Sequence, residues 1–267
     1  MKTFAELHDK TAPFILPNAW DAASARIFED AGFPAVATSS AGAAWSLGYA
    51  DGEAVDASEM IAAIARIARA VRVPVTADIE AGYASDVGGL LETIGAILDA
   101  GAVGINLEDW NSHADEPFPI ETACARIEAI KTKTGDRLFV NARTDTYLRQ
   151  LGDSATRFEE TARRMRAFAA AGADGVFVPG VADTDTIRAL AAASDLPLNV
   201  LAGPATPPLA TLRELGVARV SVGSGPALRI LGLTRAIARG LLDHQNFDFI
   251  REKPTLSYDE ANALFSP

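Results

Sequence analysis

Several residue types and patterns are scarce in this chain, and each absence excludes a class of protein. Cys124 is the one cysteine, so an internal disulfide bond cannot form. No apolar run approaches the roughly 20 residues that a membrane-spanning helix requires. Residues 1–10 also lack the apolar core and the small-residue cleavage site of a signal peptide. We therefore expect a cytoplasmic protein that does not insert into a membrane.

Basic residues are scarce as well. The chain has 24 Lys and Arg against 35 Asp and Glu, which gives a formal net charge of -11 at pH 7. A nucleic-acid-binding protein needs a concentrated basic surface to displace counterions from the phosphate backbone, so we expect no nucleic-acid partner. A small anionic substrate would be bound against the overall field. Such a site requires a local cation, either a metal ion or an arginine.

What the chain does have is enough apolar sequence for one large domain. Of its 267 residues 49% are hydrophobic, and this length suits a single globular domain spanning 1–267 better than two small ones. Short strand-like runs alternate with helical segments, as in a parallel sheet with crossover helices. The eight runs cover 14–16, 35–38, 73–77, 103–107, 138–142, 175–178, 198–201 and 219–222. This number and order predict an α/β fold of the (β/α)8 TIM-barrel type.

Two segments qualify this interpretation. An open doubly wound sheet would show a similar alternation, but it usually has a glycine-rich phosphate loop after its first strand, where this chain has Pro17 and Asn18. The segment 247–267 is different in kind, because after Pro254 only a short helical piece, 258–265, remains. A helix of that length is not stable alone. We expect 247–267 to be a tail that docks on this barrel or on another subunit.

Acidic residues stand where the third and fourth predicted strands end. Asp78 and Glu80 close the third run, Glu108 closes the fourth, and Arg143 closes the fifth. In a parallel barrel these ends meet at the catalytic mouth, and the two-residue spacing predicts that Asp78 and Glu80 point to the same side. Converging carboxylates repel one another unless a cation lies between them, and Mg²⁺ prefers such oxygen ligands.

The sequence therefore predicts a Mg²⁺ site in which Arg143 holds a substrate carboxylate as a two-pronged fork. The alternative for each acid taken alone is a helix N-cap or a surface ion pair. For Arg143 the alternative is a salt bridge across the barrel mouth.

Short motifs follow the barrel pattern in order. They are Trp20-Asp21, Ser39-Ser40-Ala41, Leu47-Gly48 with Asp51, the segment 77–83 (ADIEAGY), Leu107-Glu108-Asp109 and Ala142-Arg143-Thr144-Asp145. Together they resemble the motifs of the isocitrate lyase and phosphoenolpyruvate mutase superfamily. The resemblance extends over about 14–225. It implies a barrel enzyme whose reactions pass through pyruvate-like enolates.

The resemblance also implies roles for individual residues. Asp78 would bind Mg²⁺ directly, with Mn²⁺ as the alternative ion, and Arg143 would bind a carboxylate or a developing oxyanion. Further positions would hold the metal ion through ordered water, namely Glu80, Glu108 and Asp51, or would surround the substrate, namely Trp20, Ser39, Ser40, Ala41, Asp51 and Asn199. In this family the last helix is swapped between paired subunits, which implies a homotetramer built from helix-swapped dimers.

The chain departs from the lyase pattern after Glu108. The lyases carry a Lys-Lys/Arg-Cys-Gly-His stretch there, on a loop that closes over the substrate, whereas residues 110–117 are short and contain no cysteine. His113 is the one histidine on this loop. With Glu108 and Arg143 it is a candidate catalytic group, as a general acid or base. A solvated loop histidine without a catalytic role is the alternative.

Two further departures bear on substrate size. The lyases have Phe-Pro-Glu after the sixth strand and Asn-x-Thr-Glu after the seventh, where this chain has FVPG at 177–180 and NVLA at 199–202. Asn199 remains as an amide donor, but one acid is missing and the pocket becomes more apolar. A bulky tricarboxylate would lose more partners than a smaller 2-oxo acid would.

Three functions follow. The first is a Mg²⁺-dependent carbon–carbon lyase or decarboxylase that acts on a small 2-oxo or 2-hydroxy di- or tricarboxylate through an enolate. The second is carbon–phosphorus chemistry on phosphonopyruvate, as a mutase or hydrolase, although those branches use a longer loop with Lys and Asn. The third is a catalytically weak protein that binds 2-oxo acids and has lost turnover together with the loop.

Overall fold

A computed structural model describes residues 3–243, 247 and 256–265 of the chain. Its strands, numbered in chain order, are β1 (Phe14–Leu16), β2 (Asn18–Ala19), β3 (Val36–Thr38), β4 (Val75–Asp78), β5 (Gly104–Glu108), β6 (Trp110–Asn111), β7 (Glu116–Pro117), β8 (Phe139–Arg143), β9 (Gly175–Val178), β10 (Leu198–Leu201) and β11 (Val217–Ser221).

Helices follow the strands in alternation. They are α1 (Ala22–Asp30), α2 (Ser40–Leu47), α3 (Ala57–Ala70), α4 (Val87–Asp99), α5 (Ile120–Thr134), α6 (Arg157–Ala170), α7 (Thr184–Ala192), α8 (Leu209–Glu214), α9 (Gly225–Asp243) and α10 (Tyr258–Ala263), with short 3-10 turns at Ala5–Leu7 and Gly135–Arg137. No helix in the described ranges is long and apolar enough to cross a membrane.

The main sheet is parallel and runs in the order β1-β11-β10-β9-β8-β5-β4-β3-β2. Its two ends belong to a single stretch of chain, because β1 pairs with β11 and β2 pairs with β3. Pro17 divides this stretch since it has no N–H to donate, but its carbonyl still accepts from the Ala37 amide at 2.8 Å. The first strand thereby joins both ends of the sheet, and the predicted α/β fold of the TIM-barrel type is confirmed.

Each predicted strand lies within two residues of an observed one. The prediction for 110–117 was incomplete, because this loop forms a small antiparallel hairpin in which Trp110 pairs with Pro117 and Asn111 with Glu116. A pair of two-residue strands carries too little periodicity to be seen in the sequence.

The outer face of the sheet is apolar and packs against the helices. Parallel strands are covered on this side by the crossover helices, so their outward residues are branched and aliphatic. In α4 the residues Leu90, Ile94 and Ile97 recur at helical spacing and are buried against the strands. This packing fixes β4 and β5, whose ends carry the acidic residues.

The lumen of the barrel is polar instead. The inner surface carries the fully or nearly fully buried side chains of Asn106, Asn141, Asn199 and Arg219. The Asn141 amide donates to the Asn106 side-chain oxygen at 2.8 Å, and Asn199 donates to Ser221 at 3.0 Å. Barrel interiors are usually filled by branched apolar side chains. The hydrogen-bonded lumen of this barrel therefore forms a polar floor beneath the mouth.

The N-terminal segment closes the opposite end of the barrel. His8 stacks on Phe139, the first residue of β8, with ring centroids 4.1 Å apart, and Phe4 meets the same ring edge-on at 5.4 Å. The His8 Nδ1–H donates to the Phe4 carbonyl at 2.9 Å. Its Nε2 is buried and has no hydrogen-bond partner among the residues described. Burial, and then the charge of Arg219, lower the pKa of His8 to about 3.

The C-terminal tail is only partly within the described ranges. The predicted helical piece at 258–265 is present as α10, and the Arg26 Nε in α1 donates to the Leu264 carbonyl at 2.6 Å. The described end of the tail thus contacts the barrel of its own chain. Residues 248–255 and 266–267 of the predicted docking tail lie outside the described residues. Helix swapping between subunits stays a prediction.

The buried imidazole predicts a specific pH dependence of stability. A histidine in the unfolded chain titrates near pH 6.5, whereas His8 in the fold has a pKa of about 3. Protonation therefore favours the unfolded chain, so this contribution is complete above pH 6.5 and is lost as the pH falls towards 3. At about pH 5 the loss is about 2 kcal/mol. Urea unfolding at pH 7.5 and pH 5 should show this loss in the wild type and not in His8→Phe. Equal losses in both proteins would contradict it.

Candidate active site

Asp78 is the last residue of β4 and lies in the wall of a cavity at the barrel mouth. Its backbone amide donates to the Thr38 hydroxyl at 2.8 Å, which holds the strand end in place. One carboxylate oxygen accepts from the Ser40 hydroxyl at 2.9 Å. The second is 3.5 Å from the amide nitrogen of Asn106. The second oxygen therefore has a longer contact than the first, at a residue that lines the cavity.

Helix α2 begins beside Asp78. Ser39 is its N-cap, since the Ser39 hydroxyl accepts from the Gly42 amide at 3.1 Å. Ser39, Ser40 and Ala41 all line the cavity. Because the first amides of a helix have no intrahelical partners and lie at the positive end of its dipole, this edge suits the carboxylate of a substrate.

Arg143 ends β8, one strand beyond Glu108, and the two residues are paired in the sheet register. Its Nη1 lies 2.9 Å from the Glu108 carboxylate, and its Nε lies 2.6 Å from Asp145, which is fully buried. Burial opposes the charge of Arg143, but Glu108 and then Asp145 outweigh it and raise the pKa. Burial raises the pKa of Glu108 well above its ordinary value. Arg143 therefore stays charged in the cavity wall.

The cavity itself has a volume of about 230 Å³. Six of the predicted site residues line it, namely Ser39, Ser40, Ala41, Asp51, Asp78 and Arg143. Sequence reasoning missed the polar floor residues Asn18, Asn106 and Ser221. Phe177, Pro179 and Leu201 form an apolar wall in the segments expected to make the pocket more apolar, and Leu148 adds to it. A signal for Asn106 was present, because it is two residues before Glu108 in an otherwise apolar strand and so faces inward. The cavity joins a polar side to an apolar one.

Five predicted site residues do not line this cavity. The Trp20 Cβ lies beside Gly42 of α2, Asn199 lies in the lumen on Ser221, and Glu108 is turned to Arg143. Glu80 and His113 lie further out, against Glu53. Trp20 and Asn199 are therefore not placed to contact a substrate directly. Trp20 supports α2, and Asn199 supports the floor of the cavity.

Glu80 does not continue the alternation of β4. The strand ends at Asp78, and Glu80 has a backbone φ of 50°, in the left-handed region that few residues other than glycine adopt. Gly82 follows at φ 103°, where a Cβ would lie 2.4 Å from Leu90. The two-residue alternation of a strand does not predict this turn. In it, the Glu80 carboxylate accepts from the Glu53 amide at 2.8 Å and from the Tyr83 hydroxyl at 2.8 Å. The alternation of β4 therefore does not extend to Glu80, and its same-side placement with Asp78 stays a prediction.

Glu53 is a central residue that the sequence did not reveal. Its amide donates to Glu80, and its carboxylate accepts from the Tyr83 amide at 2.6 Å and the Ser112 hydroxyl at 3.2 Å. Glu53, Glu80 and Tyr83 all have positive φ. The His113 Nε2 is 3.9 Å from Glu53, with 79% of its side chain exposed. Glu53 thus links the loop before α3, the turn after β4 and the hairpin.

Two neighbouring acids serve the fold. The Asp109 carboxylate is paired with Arg164 of α6 at 2.9 Å and accepts from the Asp145 amide at 3.1 Å. Both Asp109 and Arg164 are buried. Neither lines the cavity. Asp145 is committed to Arg143, so it positions the guanidinium and is not free to bind a ligand.

The donor set fits a divalent ion that is bound mainly through water. Among residues 3–243, 247 and 256–265, no three Asp, Glu, His or Cys side chains converge closely enough to bind a metal ion together. Mg²⁺ usually takes one or two carboxylates and keeps several waters. Burial, and then the charges of Asp51 and Asp78, raise the pKa of Glu80 to about 7. A cation beside Asp78 would relieve this crowding.

Comparison with known families decides the membership of the chain. A family model for phosphoenolpyruvate phosphomutase matches residues 4–242. The chain belongs to this family. The predicted isocitrate lyase and phosphoenolpyruvate mutase superfamily is thereby confirmed, and a solved 2,3-dimethylmalate lyase of that superfamily shares the fold with a TM-score of 0.80 at 25% identity, over 99% of this chain and 95% of that one. The prediction of an enzyme is confirmed with it, because the relatives are lyases and mutases.

Two further relatives resemble this chain. A provisionally named phosphonomutase from Burkholderia cenocepacia J2315 is 42% identical, with a TM-score of 0.84 over 88% of this chain and 97% of that chain. An oxaloacetate decarboxylase from Bradyrhizobium sp. is 27% identical over 82% of this chain and 75% of its own. Likeness thus extends to both carbon–phosphorus and carbon–carbon branches.

The free energy of unfolding can distinguish an acid of the cavity, Asp51, from a structural acid, Asp109. Asp109→Asn should lower the free energy of unfolding by about 3–5 kcal/mol, because it leaves Arg164 as an uncompensated buried charge. Asp51→Asn should leave stability unchanged or raise it, because burial and the charge of Asp78 already raise the pKa of Asp51. Urea unfolding of both variants at neutral pH measures the difference. Equal destabilisation would refute the assignment of Asp51 to the site.

Proposed function

We propose that this protein is a Mg²⁺-dependent carbon–carbon lyase that decarboxylates a small 2-oxo diacid of the oxaloacetate type. One observation carries the proposal: Asp78, Arg143 and the first residues of α2 share a single cavity at the barrel mouth. This arrangement offers a metal-binding carboxylate, a cation and helix amides to one small anion. The reaction of such a diacid requires positively charged or N–H groups that stabilise the negative charge at both ends of the substrate.

Cavity size and lining support a small substrate. About 230 Å³ suits a four- or five-carbon acid with a hydrated ion better than a tricarboxylate. Pro179 and Leu201 occupy the positions where the superfamily's lyases carry further polar groups, so this wall has no partner for a third carboxylate. An oxaloacetate decarboxylase at 27% identity is among the relatives, which fits the same substrate class.

Different residues of the cavity would bind the substrate and assist its cleavage. Ser39, Ser40 and the amides at the start of α2 would bind the carboxylate next to the keto group. Arg143 would stabilise the negative charge that develops on the keto oxygen as the bond to C3 breaks. When bound at Asp78, Mg²⁺ would act as a Lewis acid on the same keto acid. The departing carboxylate would face Phe177 and Leu201, where loss of hydration favours release as neutral CO₂.

Proton transfer belongs to the same proposal. After CO₂ leaves, C3 has to receive a proton. Glu108 is the first candidate to donate it, because its carboxyl lies 2.9 Å from Arg143 of the cavity wall and burial raises its pKa well above the ordinary value. His113, on the exposed hairpin, is the second candidate, and its Nε2 lies 3.9 Å from the Glu53 carboxylate. Comparison of Glu108→Gln with His113→Gln separates the two.

The proposal extends to assembly and location. Helix α9 exposes Leu228, Ile230, Leu231 and Leu233, each at 49–58% of its surface, although a helix of this length in a barrel usually buries its apolar residues. We infer that these residues are covered by a second copy of the chain, in a cytoplasmic homotetramer of helix-swapped dimers. Light scattering of the purified protein measures the molecular mass directly.

Assay of 2-oxo, 2-hydroxy and phosphono acids with Mg²⁺, followed by product mass, tests the function. Oxaloacetate should yield pyruvate and CO₂, and EDTA should abolish turnover. Asp78→Asn should lower kcat by about a hundredfold or more. The exposed Asp185, which pairs with Arg188 at 2.8 Å on the surface of α7, provides the matched control Asp185→Asn with unchanged kcat.

Other outcomes would replace the proposal. Phosphate release from phosphonopyruvate, without CO₂ release from oxaloacetate, would assign the protein to carbon–phosphorus chemistry, as the 42% identical structure suggests. Tight Mg²⁺-dependent binding of 2-oxo acids without turnover of any of them would identify a binding protein. Full activity of Asp78→Asn would contradict the metal site.

A further inference from the structure

Arg219 is a fully buried arginine that spans the barrel lumen. It belongs to β11, the eighth strand position, and its Nη2 donates to the side-chain oxygen of Asn106 on β5 at 3.1 Å. Because β5 occupies the fourth position, the guanidinium crosses to the opposite side of the barrel. Its Nε donates to the Ser221 hydroxyl at 3.3 Å. Both partners line the floor of the cavity.

This charge has no direct counterion. Among the described residues no carboxylate lies within ion-pair distance of Arg219, and its Nη1 has no hydrogen-bond partner. Burial lowers the pKa of Arg219 to about 9, and the charge of Asp78 opposes that shift. The guanidinium is thus still charged at neutral pH. A buried charge held by neutral partners costs stability, so a structural reason alone does not account for it.

The hydrogen bonds of Arg219 fix the orientation of the two floor side chains, Asn106 and Ser221. The Asn106 oxygen accepts from Arg219 and from Asn141 at 2.8 Å, so its amide nitrogen is turned towards Asp78, 3.5 Å away. The Ser221 hydroxyl accepts from Arg219 and donates to the Asn199 oxygen at 3.2 Å. Both floor side chains are therefore locked in one orientation by the same cation.

We propose that Arg219 is a positioning residue that orients Asn106 and Ser221 under the bound acid and supplies the positive charge beneath Asp78 and a dianionic ligand. This inference rests on the proposed function, since it assumes that a small diacid occupies the cavity. It explains why a charge is kept in the lumen, where apolar side chains would pack at lower cost. Arg143 meets the ligand from the wall, and Arg219 acts through the floor.

Calorimetric binding of oxalate in the presence of Mg²⁺ tests the role without requiring turnover. Oxalate is a planar dianion with two adjacent oxygen pairs, so it resembles the product side of the proposed cleavage. Arg219→Met keeps the length of the side chain and removes its charge. We expect its affinity for oxalate to fall by at least about tenfold, while its melting temperature stays unchanged or rises because a buried charge is gone.

Two further variants complete the design. Arg219→Lys restores the charge without the planar fork, so its oxalate affinity should lie between those of the wild type and Arg219→Met. Arg164→Met is the matched control, since it removes a buried arginine that pairs with Asp109 away from the cavity. It should lower the melting temperature and leave the oxalate affinity of the folded protein unchanged.

Specific results would overturn the inference. Equal oxalate affinity of the wild type and Arg219→Met would remove any role under the ligand. A fall in melting temperature of Arg219→Met as large as that of Arg164→Met, with no rescue of affinity in Arg219→Lys, would make Arg219 a structural residue. Oxalate binding by a wild type that turns over no acid would instead refute the proposed lyase and leave the role of Arg219 intact.

Discussion

Crowding of negative charge at the barrel mouth is the constraint on which the rest of this structure depends. Asp51, Asp78, Glu80 and Glu108 all lie in the region where β4 and β5 end, and burial with the charges of neighbouring acids raises the pKa of Asp51 and Glu80. Arg143 balances one side of the cluster by pairing with Glu108. In the proposed function a cation at Asp78 would offset the remaining negative charge.

The surroundings of the cluster are rigid because two separate networks hold it. Below it, hydrogen bonds among Asn106, Asn141 and Arg219 fill the lumen that apolar side chains occupy in most barrels. Above it, Glu53, Glu80 and Tyr83 are bonded to one another in backbone conformations that cost energy. A fold usually tolerates such strain only where the surrounding contacts over-determine it, and this happens most often at functional sites.

How far the site was predictable depended on whether a residue ends a regular strand. Asp78 and Arg143 do so, and the topology of a parallel barrel then brings them together at the mouth. Glu80 lies two residues beyond β4, where a turn at positive φ replaces the alternation and gives it other partners. Glu53 and His113 are loop residues, whose contacts follow from how distant segments meet and have no signature in local spacing.

The sequence by itself determined the α/β barrel, the strand positions and the family, because hydrophobic periodicity and ordered motifs are local properties of the chain. Only the tertiary structure decided that Asn199 and Trp20 support the site from outside the cavity, and that Arg219 spans the lumen to Asn106. The physical reason is that side chains in the lumen of a closed barrel contact residues on the opposite strands. Arg219 and Asn106 are separated by 113 residues and by half the circumference of the sheet. No local pattern records which side chain on the far wall a buried cation will meet.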